Sequence, residues 1–83
     1  MITRTYKMAQ YGTFKIGDVV KLNFSKYSDG EDAPAGTGVL DTIILITDDE
    51  PGYEPMHRFI VHGAPGSDIG TLEADYRHFR HAS

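Results

Sequence analysis

The apolar residues of this chain come in short runs separated by segments rich in glycine, proline, aspartate and serine. The longest apolar run covers residues 43–46, far short of the roughly 20 residues that span a membrane. A chain of 83 residues has room for one small core. This pattern of short apolar runs and turn-forming segments predicts several short strands in a single domain. It argues against a membrane protein or a multidomain enzyme.

Three segments have the residue pattern of β-strands. Apolar and polar residues alternate over residues 20–24 and again over residues 57–62, which is typical of strands with one buried face. Residues 39–47 are rich in β-branched side chains and predict the central strand. The polar segment from Ser25 to Gly38 predicts a long, acidic loop between the first two strands.

The C-terminal segment has two interpretations. We predict a strand over residues 69–73, a tight turn over 74–76 and a last strand over 77–80. The alternative is an α+β fold with a helix over residues 68–81, although Gly70 in its first turn is unfavourable. Four apolar residues would share one face of that helix: Ile69, Leu72, Tyr76 and Phe79.

Three glycine-containing motifs follow one another along the predicted strands. Residues 16–19 have a hydrophobic–Gly–Asp–hydrophobic pattern, and residues 36–40 lead through two glycines into the central strand. Residues 69–76 carry a glycine near their start and an aspartate, Asp75, shortly before the last strand. Together they resemble small SH3-like barrel proteins of tailed bacteriophages and, more distantly, KOW and Tudor modules. The resemblance implies an all-β, five-stranded barrel over residues 15–83, preceded by an N-terminal arm over residues 1–14.

The absence of cysteine and of an apolar leader indicates a cellular location for the protein. With no cysteine there is no disulfide framework, no thiolate zinc site and no cysteine nucleophile. The first residues lack the apolar run of a signal peptide. We therefore expect a cytoplasmic protein, located in the host cytoplasm or the virion if a phage encodes it.

No constellation in the sequence points to catalysis or to a metal. The histidines lack a familiar ligand spacing, and the acidic clusters at residues 29–32 and 48–50 lack the spacing of a calcium loop. His62, Ser67 and Asp68 contain the groups of a triad, but no nucleophile elbow surrounds the serine. We expect a non-enzymatic protein without catalytic residues, metal or cofactor.

Three tyrosines lie in predicted loops: Tyr27, Tyr53 and Tyr76. The resemblance implies that these loops gather at one rim, so that the rings lie near one another. Exposed tyrosines anchor protein interfaces, and acidic side chains steer a partner, which here would be Asp29, Glu31 and Asp32. The leading hypothesis is therefore a protein-interaction module; the alternative is that each ring covers the small core.

The charges are segregated along the chain, whose net charge is −4. Residues 1–26 are basic, residues 27–75 are strongly acidic, and the C-terminal residues are basic again. Because the resemblance makes the first and last strands neighbours, it groups five cations for a KOW-like nucleic-acid-binding module: Arg4, Lys7, Lys21, Arg77 and Arg80. The overall acidity is unlike that class, and a third hypothesis is a small homo-oligomeric virion or structural protein.

Overall fold

The computed structural model of the chain describes residues 2–82, which form eight β-strands and no α-helix. The strands are β1 (Thr3–Met8), β2 (Gln10–Tyr11), β3 (Phe14–Lys15), β4 (Val19–Leu22), β5 (Gly38–Asp48), β6 (Met56–Gly63), β7 (Thr71–Asp75) and β8 (Phe79–His81). A short 3-10 turn, Tyr76–His78, joins β7 to β8. The all-β prediction is confirmed, and the alternative helix over residues 68–81 is wrong. Across the same residues, no helix is long and apolar enough to cross a membrane.

Six of the strands form one antiparallel sheet around the long strand β5. Its strand order is β7-β6-β5-β4-β8, and β1 also pairs with β5. One edge of β5 pairs with β6, with an irregularity between Leu40 and Thr42. The other edge is shared, since β4 pairs at Gly38 and Val39 while β1 pairs from Ile43 onward.

The sheet does not close into the predicted five-stranded barrel. Within residues 2–82, β7 pairs only with β6 and β8 only with β4, so β7 and β8 are the ends of the five-strand path. Closure would need a ladder between those two strands. β8 has three residues, all opposite β4, and the chain reaches it through the 3-10 turn rather than through a hairpin. The sheet is therefore open at this point.

The hydrophobic core lies against one face of the sheet. The residues with no exposed surface are Val20, Leu40, Ile43, Phe59 and Val61. Leu22 and Phe79, which face each other across β4 and β8, are nearly as buried. Burial follows the alternation seen in the sequence, because successive residues of a strand point to opposite faces.

The N-terminal segment is a strand and a hairpin rather than an irregular arm. β1 pairs with β5 from Thr3 to Met8, and Met8 packs against the core. The β2–β3 hairpin turns at Gly12, whose φ of +60° suits glycine, and lays Tyr11 and Phe14 on the core. Most of β1 is exposed on both faces, so its sequence lacks the alternation that marks a half-buried strand. Met1 of the predicted arm and Ser83 of the predicted barrel lie outside the described residues.

Candidate functional site

The opening between β7 and β8 forms a cleft of about 290 Å³, which we call the seam cleft. Its apolar lining is Leu22, Phe24, Leu72 and Ala74, and its polar and aromatic lining is Tyr27, Arg58, Glu73, Asp75 and His78. The apolar residues come from the ends of β4 and from the core-side face of β7. A space of this size, at the lower limit of ligand pockets, suits one or two side chains of a partner.

Hydrogen bonds hold one side of the seam cleft in place. The backbone N–H of Asn23 donates to the carbonyl of His78 at 3.0 Å, and its side-chain amide donates to the carbonyl of Arg77 at 2.6 Å. The carboxylate of Asp75 accepts from the backbone N–H and from Nε of Arg77, both at 2.9 Å. The Asn23 bonds hold the 3-10 turn against the segment that follows β4, and the Asp75–Arg77 bonds hold the start of the turn.

The Asp75–Arg77 contact predicts a pH-dependent contribution to stability. Hydrogen bonds from Arg77 hold the pKa of Asp75 below its ordinary value of 3.8, so the stabilisation is present above that value and lost as pH falls through the folded pKa. Because the Arg77 side chain is 73% exposed, solvent screens the pair, and Asp75→Asn should cost only about 0.5 kcal/mol at neutral pH. Urea unfolding at neutral and strongly acidic pH measures this difference, which should shrink in acid. Asp68→Asn, which removes the same charge from an exposed residue, is the control; equal losses at both pH values would contradict the prediction.

The three predicted tyrosine anchors lie in different surroundings. Tyr27 lines the seam cleft, is 41% exposed and has its ring centroid 5.5 Å from that of Phe24. Tyr53 lies in the β5–β6 turn, where its backbone N–H donates to Glu50 at 3.1 Å. Tyr76 packs beside the core. In the described part of the chain, no ring contact joins any two of the three. Of the three, Tyr27 alone is among the residues that line the seam cleft.

Tyr76 belongs to an aromatic cluster that the sequence did not reveal. Its ring meets Tyr11 edge-on at 5.0 Å and lies 6.4 Å from Phe59, while Tyr11 stacks on His57 at 3.6 Å. Burial raises the pKa of the Tyr11 phenol. These contacts match the alternative in which a tyrosine covers the small core. No sequence signal identified Tyr11, because the segment around it has no regular period.

The acidic residues of the long loop are partly engaged within the loop itself. Nζ of Lys26 lies 2.7 Å from Asp32, and these two residues also form an isolated β-bridge. Asp29 accepts a hydrogen bond from the backbone N–H of Glu31 at 2.9 Å. All three acidic residues are exposed, but the charge of Asp32 is offset by Lys26, which leaves Asp29 and Glu31 to act on a partner at longer range.

The five cations of the nucleic-acid hypothesis do not form one group. Arg4 and Lys7 lie on β1, an odd number of residues apart, and so on opposite faces of the sheet. The guanidinium of Arg77 donates a hydrogen bond to the carboxylate of Asp75. Lys21 and Arg80 are directly opposite each other in the β4–β8 ladder. The fold therefore juxtaposes two of the five side chains on one face.

Two residues of the possible triad, Ser67 and His62, form their hydrogen bonds with other residues. The Ser67 hydroxyl donates to the carbonyl of Ala35 at 3.2 Å and accepts from the N–H of Ile69 at 3.0 Å. His62 instead contacts Thr71 at 3.1 Å and Asp41 at 3.5 Å. Among residues 2–82, no three histidine or carboxylate side chains are grouped as metal ligands.

The chain matches no protein-family model, no curated protein and no solved structure. Function is therefore inferred from the geometry and charges of the chain's own residues.

Proposed function

We propose that this chain is a non-enzymatic protein-interaction module that binds an extended segment of a partner at the seam cleft. The supporting observation is that an apolar cleft opens beside β7, a strand that pairs on one edge only among the described residues. A free strand edge offers backbone N–H and C=O groups to an added strand, while a neighbouring cleft selects side chains. An extended segment along β7 would place apolar side chains beside Leu72 and Ala74.

Tyr27 is the anchor in this proposal. Its ring is supported by Phe24 and remains exposed, and tyrosine buries a large apolar area at low cost in conformational entropy. Arg58 and Glu73 supply a polar border on the β6–β7 side of the cleft. Nε of Arg58 lies 3.8 Å from Oε2 of Glu73. An apolar floor with a polar border is the usual anatomy of a binding interface.

An SH3-like module of phage-like origin, acting in the host cytoplasm or the virion, is part of the same proposal. Two observations support the SH3-like architecture. β4 and β8 are neighbours, as the first and last strands of the predicted barrel should be, and a tight turn precedes the last strand. Small β-domains host many unrelated functions. The proposed binding function therefore depends on the seam cleft, and the resemblance supports only the architecture.

Tyr27→Ala should weaken partner binding at least about tenfold without unfolding the chain, because the ring contributes to the interface more than to the core. The test is selection of binders from a random peptide library, followed by titration calorimetry of a selected peptide against the variant. Tyr6→Ala is the matched control, since Tyr6 is 49% exposed and lies on β1. Failure to select any peptide, or equal affinity for wild type and Tyr27→Ala, would refute the proposal.

A further inference from the structure

A larger groove, of about 640 Å³, adjoins the seam cleft at Leu22 and Phe24, which line both. We call it the basic groove. One wall is formed by β4 and β8 and presents Lys21 and Arg80; the other is formed by residues 32–36 of the long loop, with Asp68 beside them. Its volume falls within the range that holds small ligands or a short peptide segment.

Lys21 and Arg80 are an unusual pair to find in direct register. They are Cα partners in an antiparallel ladder, where the Cβ atoms of opposed residues lie about 5 Å apart and like charges destabilise the pairing. Within residues 2–82 neither cation forms an ion pair with a carboxylate. Two adjacent positive charges without an internal counter-ion attract an external anion.

The loop wall of the basic groove is held in place. The N–H of Ala33 donates to Ser25 at 3.0 Å, and the N–H of Asp68 donates to Ala35 at 2.9 Å. Gly36 has a φ of +103°, and a Cβ there would come within 2.7 Å of Ser67 Oγ, so only glycine fits this approach. A wall fixed before binding lowers the conformational entropy that the protein loses when a ligand binds.

We propose that the basic groove is a second binding site, in which Lys21 and Arg80 together hold one carboxylate of an acidic protein segment. The forked guanidinium of Arg80 suits bidentate contact with a carboxylate, and the Lys21 ammonium adds a point charge. Ala33 and Pro34 offer apolar surface to the residues on either side of that carboxylate. Neither Lys21 nor Arg80 lines the seam cleft, so the charges of this site are its own.

The charges around the groove favour one carboxylate over a nucleic-acid backbone. A phosphate chain needs several cations in a row, whereas only two are juxtaposed here. Asp68 lines the same groove, and Asp32 at its border already holds Lys26. A polyanion would pass close to these carboxylates, but a single acidic side chain flanked by apolar residues would not.

The probe is a short, end-blocked peptide with one glutamate flanked by valines, with its glutamine counterpart, titrated into labelled protein and followed by amide chemical shifts. We expect the glutamate peptide to shift Lys21, Ala35 and Arg80 and to bind at least about tenfold more tightly than the glutamine peptide. Arg80→Glu should abolish this binding. Because it converts a like-charged pair to an opposite-charged one, it should also raise the thermal midpoint by about 2–4 °C.

Two control variants test whether the peptide is held at the basic groove rather than by net charge or by the seam cleft. Lys7→Glu makes the same change in net charge on β1, and Tyr27→Ala alters the seam cleft; both variants should bind the glutamate peptide as wild type does. Equal affinity for the two peptides, or binding retained in Arg80→Glu, would overturn the proposal. So would tighter binding of an oligothymidylate in this groove at physiological salt, or loss of peptide binding in Tyr27→Ala.

Discussion

Replacing Phe59 by alanine is expected to lower the free energy of unfolding by about 4 kcal/mol. The side chain is fully buried, and its ring meets Phe14 edge-on at 5.0 Å and stacks over Phe79 at 5.9 Å. Its removal would therefore leave a cavity at the point where the hairpin, β6 and β8 meet. A domain of this size has a total stability of only about 4–12 kcal/mol, so the loss is a large share of it.

Urea unfolding followed by far-ultraviolet circular dichroism measures this effect. Phe59→Leu should remain folded and lose about 1–2 kcal/mol, which keeps the test informative if the alanine variant does not fold. Val39→Ala, at a residue 42% exposed on the outer face, should change stability by less than about 0.5 kcal/mol. A Phe59→Ala loss no larger than that of Val39→Ala would contradict the assigned core.

Gly63→Ala is expected to destabilise the fold by about 3 kcal/mol or more, because the added methyl group has no space. A Cβ on Gly63 would overlap the carbonyl oxygen of Ile69, a backbone atom that cannot move aside without shifting its strand connection. The N–H of Gly63 also donates to Gly70 at 2.7 Å, so the two segments are held close together. Separating them would break this bond and expose Ile69, which is 4% exposed.

The matched control for Gly63→Ala is Gly70→Ala in the same connection. A Cβ on Gly70 meets no atom within 4 Å, and its φ lies outside the left-handed region. Alanine there should be neutral or stabilising by up to about 1 kcal/mol, because it restricts the unfolded chain. Thermal melts of both variants give the comparison, and similar midpoints for the two would show that the close approach at Gly63 is absent.

Local alternation predicted the buried residues of the central strands well. The alternation over residues 57–62 predicts that Phe59 and Val61 share the buried face, and both are fully buried. The reason is that side-chain direction in a strand repeats every two residues, whatever the strand pairs with. The order strand, turn and strand predicted for the last segment is present, but β7, the 3-10 turn and β8 begin two residues later than predicted.

β1 is a strand that side-chain alternation did not predict. It is a regular six-residue strand, yet it covers little of the core, and neither of its faces carries an apolar stripe. Its pairing partner begins at Ile43, far along the chain. Hydrogen bonds between backbones do not depend on side-chain pattern, so nothing in residues 3–8 identified the pairing.

The candidate sites depended still more on tertiary structure. Tyr27 was predicted as an anchor from its place in a loop, but the cleft beside it exists only because β7 and β8 stay unpaired. The sequence predicted a basic face of five residues. Of these, only Lys21 and Arg80 are opposed, because ladder register brings them together while Arg77 turns to Asp75.

Sequence patterns predicted the central strands, the buried face of each and the position of the long loop, and they left the C-terminal segment open between strands and a helix. These depend on local properties: side-chain alternation, β-branching and turn chemistry. The three-dimensional structure was needed to show that the sheet stays open, that a cleft forms at that opening, and that two cations meet across β4 and β8. Those features follow from which backbone edges pair and in what register, a choice made among distant segments that no local pattern specifies.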